Sequence, residues 1–591
     1  MESIVSKLEN DLRRCVQTLF GLCIDSEQIS IQRTNQEFHG HYTYAVFFLS
    51  KQLHKDPTSC GEAIGKWLMY NSSILKSYQV IGGFINIIIK DSILIKQLHA
   101  VSCDGSYGHN KPNGKTIVVE YSSPNTNKPL HLGHLRNNFI GFAISSILKA
   151  IGYNVLQVCL VNDRGMHICK SMLAYQKVGN GDTPESTHMK GDHFVGKYYV
   201  EFDKIYKQQT DELGDSADVP ILKEVQTMLK AWEDGDTSVR QLWKQMNDWV
   251  YDGFEQTYRK IGVKFDKIYY ESQTYLLGKR VIDEGLNKGV FYSNDDSSVW
   301  VDLTDDDLDK KLLLRSDGTS VYITQDLGTA DLRYHDFNPT KMIYVVGNEQ
   351  DYHFRVLRSI MKKLDRPYAD DLYHLSYGMV DLPCGKMKSR EGTVVDADDI
   401  ISEMILKAEV VSNELGKVDK ISQSNKNELY ESIGLSALKF YLLRVDSKKR
   451  LMFDPQKSID FQGDTGPFIL YTYVRIQSIL RKVDGAMFSD TYLYAYDNVN
   501  YSLDNTESKL IIDILEYPDK LQEAANNYEP SILAQYLLAL VKSYNKFYEH
   551  NTIIKEQDTV KVGMRLYVSR CVRSIIEDIL SMFGIRVVDY M

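Results

Sequence analysis

Residues 116–163 hold three patterned runs in a row: TIVVEYSS (116–123), LRNNFIGFAISSILKAIG (135–152) and YNVLQVCLVND (153–163). The first and third are apolar, β-branched runs that read as buried strands, and the middle one repeats apolar residues at i, i+3 and i+4, as a helix does. Strand, helix and strand within so short a span form a βαβ unit, which implies two parallel strands in a sheet covered on both faces. The chain therefore needs an α/β core. Further strand signals follow in SSVWVDL (297–303), SVYIT (320–324), KMIYVVG (341–347) and HLSYGMV (374–380), each leading into turn or helix residues.

Around that core the pattern changes. Residues 1–105 alternate helical periodicity (VSKLENDLRRCVQTLFG) with QVIGGFINIII (79–89), which reads as a buried strand. HNKPNGK (109–115) is a turn-rich linker. Residues from about 185 to 260 are helical and charged and interrupt the strand pattern, as an insertion would. From 415 onward the period is helical nearly throughout. At 591 residues the chain exceeds what one core can serve, and several domains are expected.

The net charge is -10, yet residues 1–105 carry 10 basic and 10 acidic side chains, and residues 415–591 carry 22 and 23. The acidity thus sits in the middle, and both ends can present basic faces to a nucleic acid. The eight cysteines include no C-x-x-C pair, so neither a zinc site nor a disulfide framework is expected. No apolar window is long enough to span a bilayer and no secretory signal opens the chain, so a cytoplasmic protein without a membrane partner is expected.

The stretch YSSPNTNKPLHLGHLRN (121–137) joins the first strand to the helix. His131 and His134 lie on one face of the first helical turn, where unpaired N–H groups and a partial positive charge suit a phosphate. Gly133 leaves room for a ligand to approach the backbone. The pair alone also fits half a metal site, without further ligands at usual spacing, or plain packing.

The wider stretch resembles the HIGH signature of class I aminoacyl-tRNA synthetases, in the form found in arginyl-tRNA synthetases. The resemblance runs on through LVNDRGMHICKSM (160–172), RSDGTSVYITQDLGTA (315–330), YVVGNEQDYHFRVL (344–357) and GKMKSREGTVV (385–395). LKFYLLR (438–444) and FQGDTGPFILYTYVRIQSILRK (461–482) resemble the family's helical anticodon-binding domain. The resemblance implies a multidomain α/β plus all-α architecture in three parts. These are an N-terminal α/β tRNA-binding domain (1–108), a Rossmann-type catalytic domain (109–414) with the helical insertion near 185–260, and an α-helical anticodon-binding bundle (415–591).

It also implies ATP-dependent activation of arginine to arginyl-adenylate and transfer to the 3′ end of tRNA(Arg), with Mg2+ accompanying the ATP and no zinc. Carried over residue by residue, His131, Gly133, His134, Lys128, Lys386, Lys388 and Arg390 would be catalytic. ATP would meet His131, Gly133, His134, Met387 and Lys388. Arginine would meet Glu120, Asn125, Tyr322, Asp326 and Gln350, and a guanidinium pairs well with two carboxylates. Tyr322 and Asp326 are expected where a strand ends and a turn begins, and taken alone Asp326 also reads as a helix N-cap. Glu120, at the end of a buried strand, needs a partner unless it faces a cationic ligand.

GKMKSREGTVV departs from the family's K-M-S-K-S by placing Ser389 where the second lysine stands, and Lys128 just before the HIGH motif is expected to compensate. Two rivals remain at this point, another class I synthetase of cysteinyl or glutamyl type and a silent paralogue that only binds tRNA. A monomer is expected.

Overall fold

A computed structural model describes residues 3–591 except 26–27, 36, 214–218, 384–394, 415–421 and 484–500. The expected loop residues Lys386, Met387, Lys388, Ser389 and Arg390 lie outside the described residues. The chain folds as two compact units. One comprises 108–471, 521–535 and 579–591, and the other 1–107, 472–520 and 536–578. Residues 422–471, expected with the anticodon-binding bundle, thus group with the parallel sheet.

The larger unit is built on five strands: β1 Thr116–Glu120, β2 Asn154–Val161, β3 Lys267–Tyr270, β4 Lys341–Gly347 and β5 Leu372–Tyr377. All pair in parallel, in the order β5-β4-β1-β2-β3. That is the order of nucleotide-binding sheets, with the chain switching sides between β1 and β4. The βαβ unit read from the sequence is present, with helix α1 (Leu132–Ala150) between β1 and β2. Ile117, Val118 and Val119 are all buried, as a strand covered on both faces requires. Nearly every side chain of α1 is buried, because the helices Ala397–Glu414 and Gln423–Leu443 cover the face turned from the sheet.

On the sheet's other side lie α2 (Tyr322–Phe337) and α3 (Asp351–Lys363), whose apolar faces form one core with β1 and β4. The run SVYIT, expected as a strand, is instead the start of α2. Ser320 makes only an isolated bridge to Leu314, and Tyr322 opens the helix. The β-branched residues misled at short range, while the spacing of buried Ile323, Leu327 and Ala330 along the following turns belongs to a helix. The stretch near 185–260 is helical, with Gly191–Leu213, Pro220–Asp234 and Thr237–Ile261 as its main segments.

In the other unit, residues 1–107 form a four-stranded antiparallel sheet with helices Ile4–Phe20 and Pro57–Asn71 beside it. QVIGGFINIII, expected as one strand, is a hairpin of Leu75–Ile81 and Phe84–Ile89. Gly82 and Gly83 take φ of 55° and 93°, the two positive values a tight two-residue hairpin turn needs. Within this unit Arg33 forms ion pairs with Asp513 (2.6 Å) and Glu516 (3.1 Å) of the helical segment. The Tyr567 hydroxyl donates to the carbonyl of Val101.

Candidate active site

Ligands of open parallel sheets lie beyond the carboxyl ends of the strands, at the switch in strand order. Here that place is the end of β1, and the chain leaves it by an unusual turn. Ser122 and Ser123 both have positive φ, 69° and 44°. Such backbone costs of order 1–3 kcal/mol per residue and persists only where its surroundings impose it. α1 imposes it: Asn137 Oδ1 accepts from the Ser122 N–H at 2.5 Å, and the Asn138 amide donates to Ser122 Oγ at 3.1 Å. Asn137 also donates to the Val345 carbonyl of β4 at 2.7 Å, so one side chain ties β1, α1 and β4 together.

The two histidines cap α1 reciprocally. His131 is the N-cap, and its Nδ1 accepts from the Gly133 N–H at 3.1 Å. Three residues on, His134 Nδ1 accepts from the His131 N–H at 3.1 Å. With Nδ1 an acceptor on each ring, the neutral imidazoles carry their protons on Nε2. Burial holds both rings uncharged: it lowers the His131 pKa to about 3 and His134 well below the ordinary value, with Lys128 adding to the effect on both. Neither Nε2 has a partner among the described residues, so two neutral donors stand at the positive end of a helix.

Gly133 has a local reason. A Cβ there would lie 3.0 Å from His131 Cε1 and 3.1 Å from Nδ1, so the missing side chain makes room for the capping ring itself. Lys128 lines a cavity of about 230 Å3 with Pro129, His131, His193, Tyr199 and Asp396. Burial lowers its pKa.

Glu120 ends β1 buried, and its partner is internal. Arg333 of α2 lies 2.5 Å from Oε2, and Ser123 Oγ donates to Oε1 at 2.7 Å. The Arg333 guanidinium also sits over the rings of Tyr269 and Tyr344. The requirement that Glu120 find a partner was legible, and Arg333 was not singled out, since the residues are far apart in sequence.

Asp326 is not a helix cap. Val321 is the N-cap of α2 without a side-chain bond, and Asp326 lies in the second turn, where it pairs with His353 Nε2 of α3 at 2.6 Å. Tyr322, expected at a strand end, opens the helix and is 75% exposed. Gln350 is exposed just after β4, and Asn125 is exposed in a bridge to Asn162 after β2. Glu120, Asn125 and Gln350 thus come from the exits of β1 and β4, beside the capped N-terminus of α1.

Other groups at this edge escaped sequence reading. Glu271 follows β3 and is buried. Burial raises its pKa to about 7, against the pull of Arg164, with Asp163 and Asp326 reinforcing the rise. Arg136 is fully buried, and its guanidinium donates to the carbonyls of Gly378, Lys449, Asp446 and Ser447. Neither residue lies in a pattern that marks such a role.

The chain as a whole is similar to known proteins. Residues 97–454 match the family described as "tRNA synthetases class I (R), catalytic domain", residues 469–591 the "DALR anticodon binding domain", and residues 6–89 the "Arginyl tRNA synthetase N terminal domain". Arginine--tRNA ligase of Amoebophilus asiaticus is 54% identical over 594 residues, covering 99% of each chain, and that of Flavobacterium psychrophilum is 48% identical over 610 residues, covering both chains fully. In fold the chain is similar to the arginyl-tRNA synthetase of Thermus thermophilus, with a TM-score of 0.80 at 22% identity over 99% of each chain. That of Plasmodium falciparum gives a TM-score of 0.76 at 20% identity over the whole of both chains. With a capped histidine pair at the sheet's switch point and full-length relatives above the level at which ancestry is in question, the chain belongs to the arginyl-tRNA synthetase family of class I aminoacyl-tRNA synthetases.

Proposed function

We propose that the crevice beyond β1 and β4 is where this ligase joins arginine to ATP and then charges tRNA(Arg). The carboxylate of arginine attacks the α-phosphate of ATP and pyrophosphate leaves; a hydroxyl of the terminal ribose of the tRNA then takes the arginyl group, and AMP leaves. The observation that carries this reading is the reciprocal histidine cap, which aims two uncharged N–H donors from a helix N-terminus. Donors held rigidly where negative charge builds up on phosphate stabilise the transition state more than the ground state.

His131 and His134 are read as phosphate donors, Gly133 as the space that lets the cap form, and Lys128 as the cation beside them. Lys386, Met387, Lys388 and Arg390 keep the roles that the family resemblance proposes for them. For arginine, Asp326 suits the guanidinium: it is partly exposed, and its partner His353 can be displaced. Tyr322, Asn125 and Gln350 are exposed and are read as offering polar atoms to the rest of the amino acid. Glu120 meets the substrate only if Arg333 yields its place, so its role toward arginine is read as indirect, through the shape of the pocket.

Mg2+ would arrive with the ATP phosphates. Among the described residues one His/Asp group has metal-like spacing, Asp192, His193 and Asp398, but the Lys190 ammonium already lies against both carboxylates, at 3.1 and 2.6 Å. That group does not fit a resident cation. No helix of the described residues is long and apolar enough to cross a membrane. As a tRNA-charging ligase the protein is read as a monomer that works in the cytoplasm.

The test is ATP–pyrophosphate exchange with purified tRNA(Arg) present. Exchange dependent on arginine and absent with lysine is the expected outcome. Binding of tRNA without any exchange would instead support a silent paralogue.

A further inference from the structure

The helical insertion between β2 and β3 presses on the loop that carries the histidine pair. Gly196, on helix Gly191–Leu213, lies so close to the loop that a Cβ there would meet Pro129 Cδ at 2.8 Å. The opposite side of the loop is held by a short strand-like segment. His131 bridges antiparallel to Asp396, Leu132 N–H donates to the Val395 carbonyl at 3.2 Å, and Ala397 N–H donates to the Leu130 carbonyl at 3.0 Å.

The insertion and that segment are joined by one ionic knot. Lys190 Nζ donates to Asp398 Oδ2 at 2.6 Å, to Asp192 at 3.1 Å and to Thr257 Oγ1 at 2.6 Å. Thr257 Oγ1, on helix Thr237–Ile261, donates to Asp398 Oδ1 at 3.1 Å. His193 Nε2 lies 3.2 Å from Asp398 and 3.3 Å from Asp396. Asp192 is fully buried, and the close helix crossing at Gly253 seals it.

We propose that Lys190 and Asp398 are positioning residues for His131, through which the helical insertion fixes the placement of the phosphate donors during adenylate formation. The proposal rests on the reading of His131 as a phosphate donor. The chain of contact is short: Lys190 holds Asp398, residues 395–397 adjoin it, and their backbone bonds fix Leu130 and Leu132. An ion pair that is partly buried and shared with a hydroxyl and a second carboxylate has few alternative geometries, whereas an exposed pair has many. A displacement of the donors by even a fraction of a bond length weakens a transition-state contact far more than substrate binding, which draws on other groups.

The experiment is pyrophosphate exchange with tRNA present on Lys190→Met, Lys190→Arg, Asp398→Asn and the Lys190→Met/Asp398→Asn double variant. Lys190→Met should lower kcat about tenfold while KM for arginine stays within about twofold, the pattern of an interaction felt only in the transition state. Lys190→Arg should recover most of the rate, and the double variant should be no slower than the slower single one. A normal kcat in folded Lys190→Met, or losses that multiply in the double variant, would overturn the proposal.

Because Lys190→Met leaves Asp192 buried without its cation, Thr257→Val serves where that variant does not fold. It keeps the shape, loses the hydroxyl bond to Asp398 and should show the same split of kcat from KM on a smaller scale. A normal kcat in Thr257→Val would then count against the proposal. If the unaltered protein shows no arginine-dependent exchange, the reading of the site fails; if exchange is present and only these variants are unaffected, the positioning role alone fails.

Discussion

The ring of His134 accepts a hydrogen bond from the backbone N–H of His131 at 3.1 Å, and the two ring centroids lie 3.9 Å apart. Each histidine therefore has two jobs on its two nitrogens, Nδ1 for the helix and Nε2 for whatever meets the helix end. His134→Ala removes both and should slow adenylate formation by about 3 kcal/mol of transition-state stabilisation. His134→Asn keeps an acceptor near the Nδ1 position, so it should unfold at nearly the same temperature as the unaltered protein and still lose most of the rate. Unchanged exchange in both variants would remove His134 from the mechanism.

Gly133→Ala sets a methyl 3.0 Å from His131 Cε1, closer than ordinary van der Waals contact. The ring must tilt, its bond to residue 133 lengthens, and exchange should fall about tenfold, or about 1.4 kcal/mol. Stability should change little, since one cap bond is worth about 1 kcal/mol. Stopped-flow or exchange kinetics beside thermal unfolding separate the two effects.

The two carboxylates expected to meet arginine should behave differently. Asp326→Asn should raise KM for arginine far more than KM for ATP, because a hydrogen bond to a charged group contributes about 1.5–3 kcal/mol. Glu120→Gln should instead cost stability, about 3–5 kcal/mol, by leaving Arg333 buried without its counter-charge. Steady-state KM values and urea unfolding distinguish the outcomes, and an unchanged arginine KM in Asp326→Asn would reassign that residue to holding His353.

Lys128 is expected to supply the positive charge that Ser389 does not. Lys128→Ala should reduce exchange at least about tenfold with tRNA present, and Ser389→Lys added to it should restore part of the rate. Resemblance to the family further predicts that exchange needs tRNA. An unaffected Lys128→Ala enzyme rejects the compensation, and a full rate without tRNA rejects the requirement.

Glu271 predicts a pH signature. Its carboxyl keeps a proton up to about pH 7 in the fold, chiefly through burial, against an ordinary value of 4.5. The folded chain thus binds more protons than the unfolded one between those values, so this group lowers stability as pH rises through the window and has no further effect above it. Glu271→Gln should remove that slope, gaining up to about 3 kcal/mol on the unaltered protein between about pH 5 and pH 8. Urea unfolding at the two pH values is the measurement, and an identical slope in the variant would falsify the assignment.

The parallel βαβ core, the helical middle insertion and the place of the histidine pair were all legible along the chain. Each rests on a periodicity or a short motif whose physics is local: runs of Ile and Val that only a covered strand can use, or a histidine two residues before a glycine at a helix start. SVYIT shows where local physics misleads, since its β-branched residues favour a strand while the core behind α2 demands a helix. What only the tertiary structure decided is which distant charge answers which. Glu120 meets Arg333, Asp326 meets His353, and Lys190 meets Asp398, pairs separated by far more chain than any pattern spans. A buried charge dictates that a partner exist, because desolvation without one is too costly. Which residue becomes that partner depends on how the strands and helices pack, and no stretch of sequence carries that information alone.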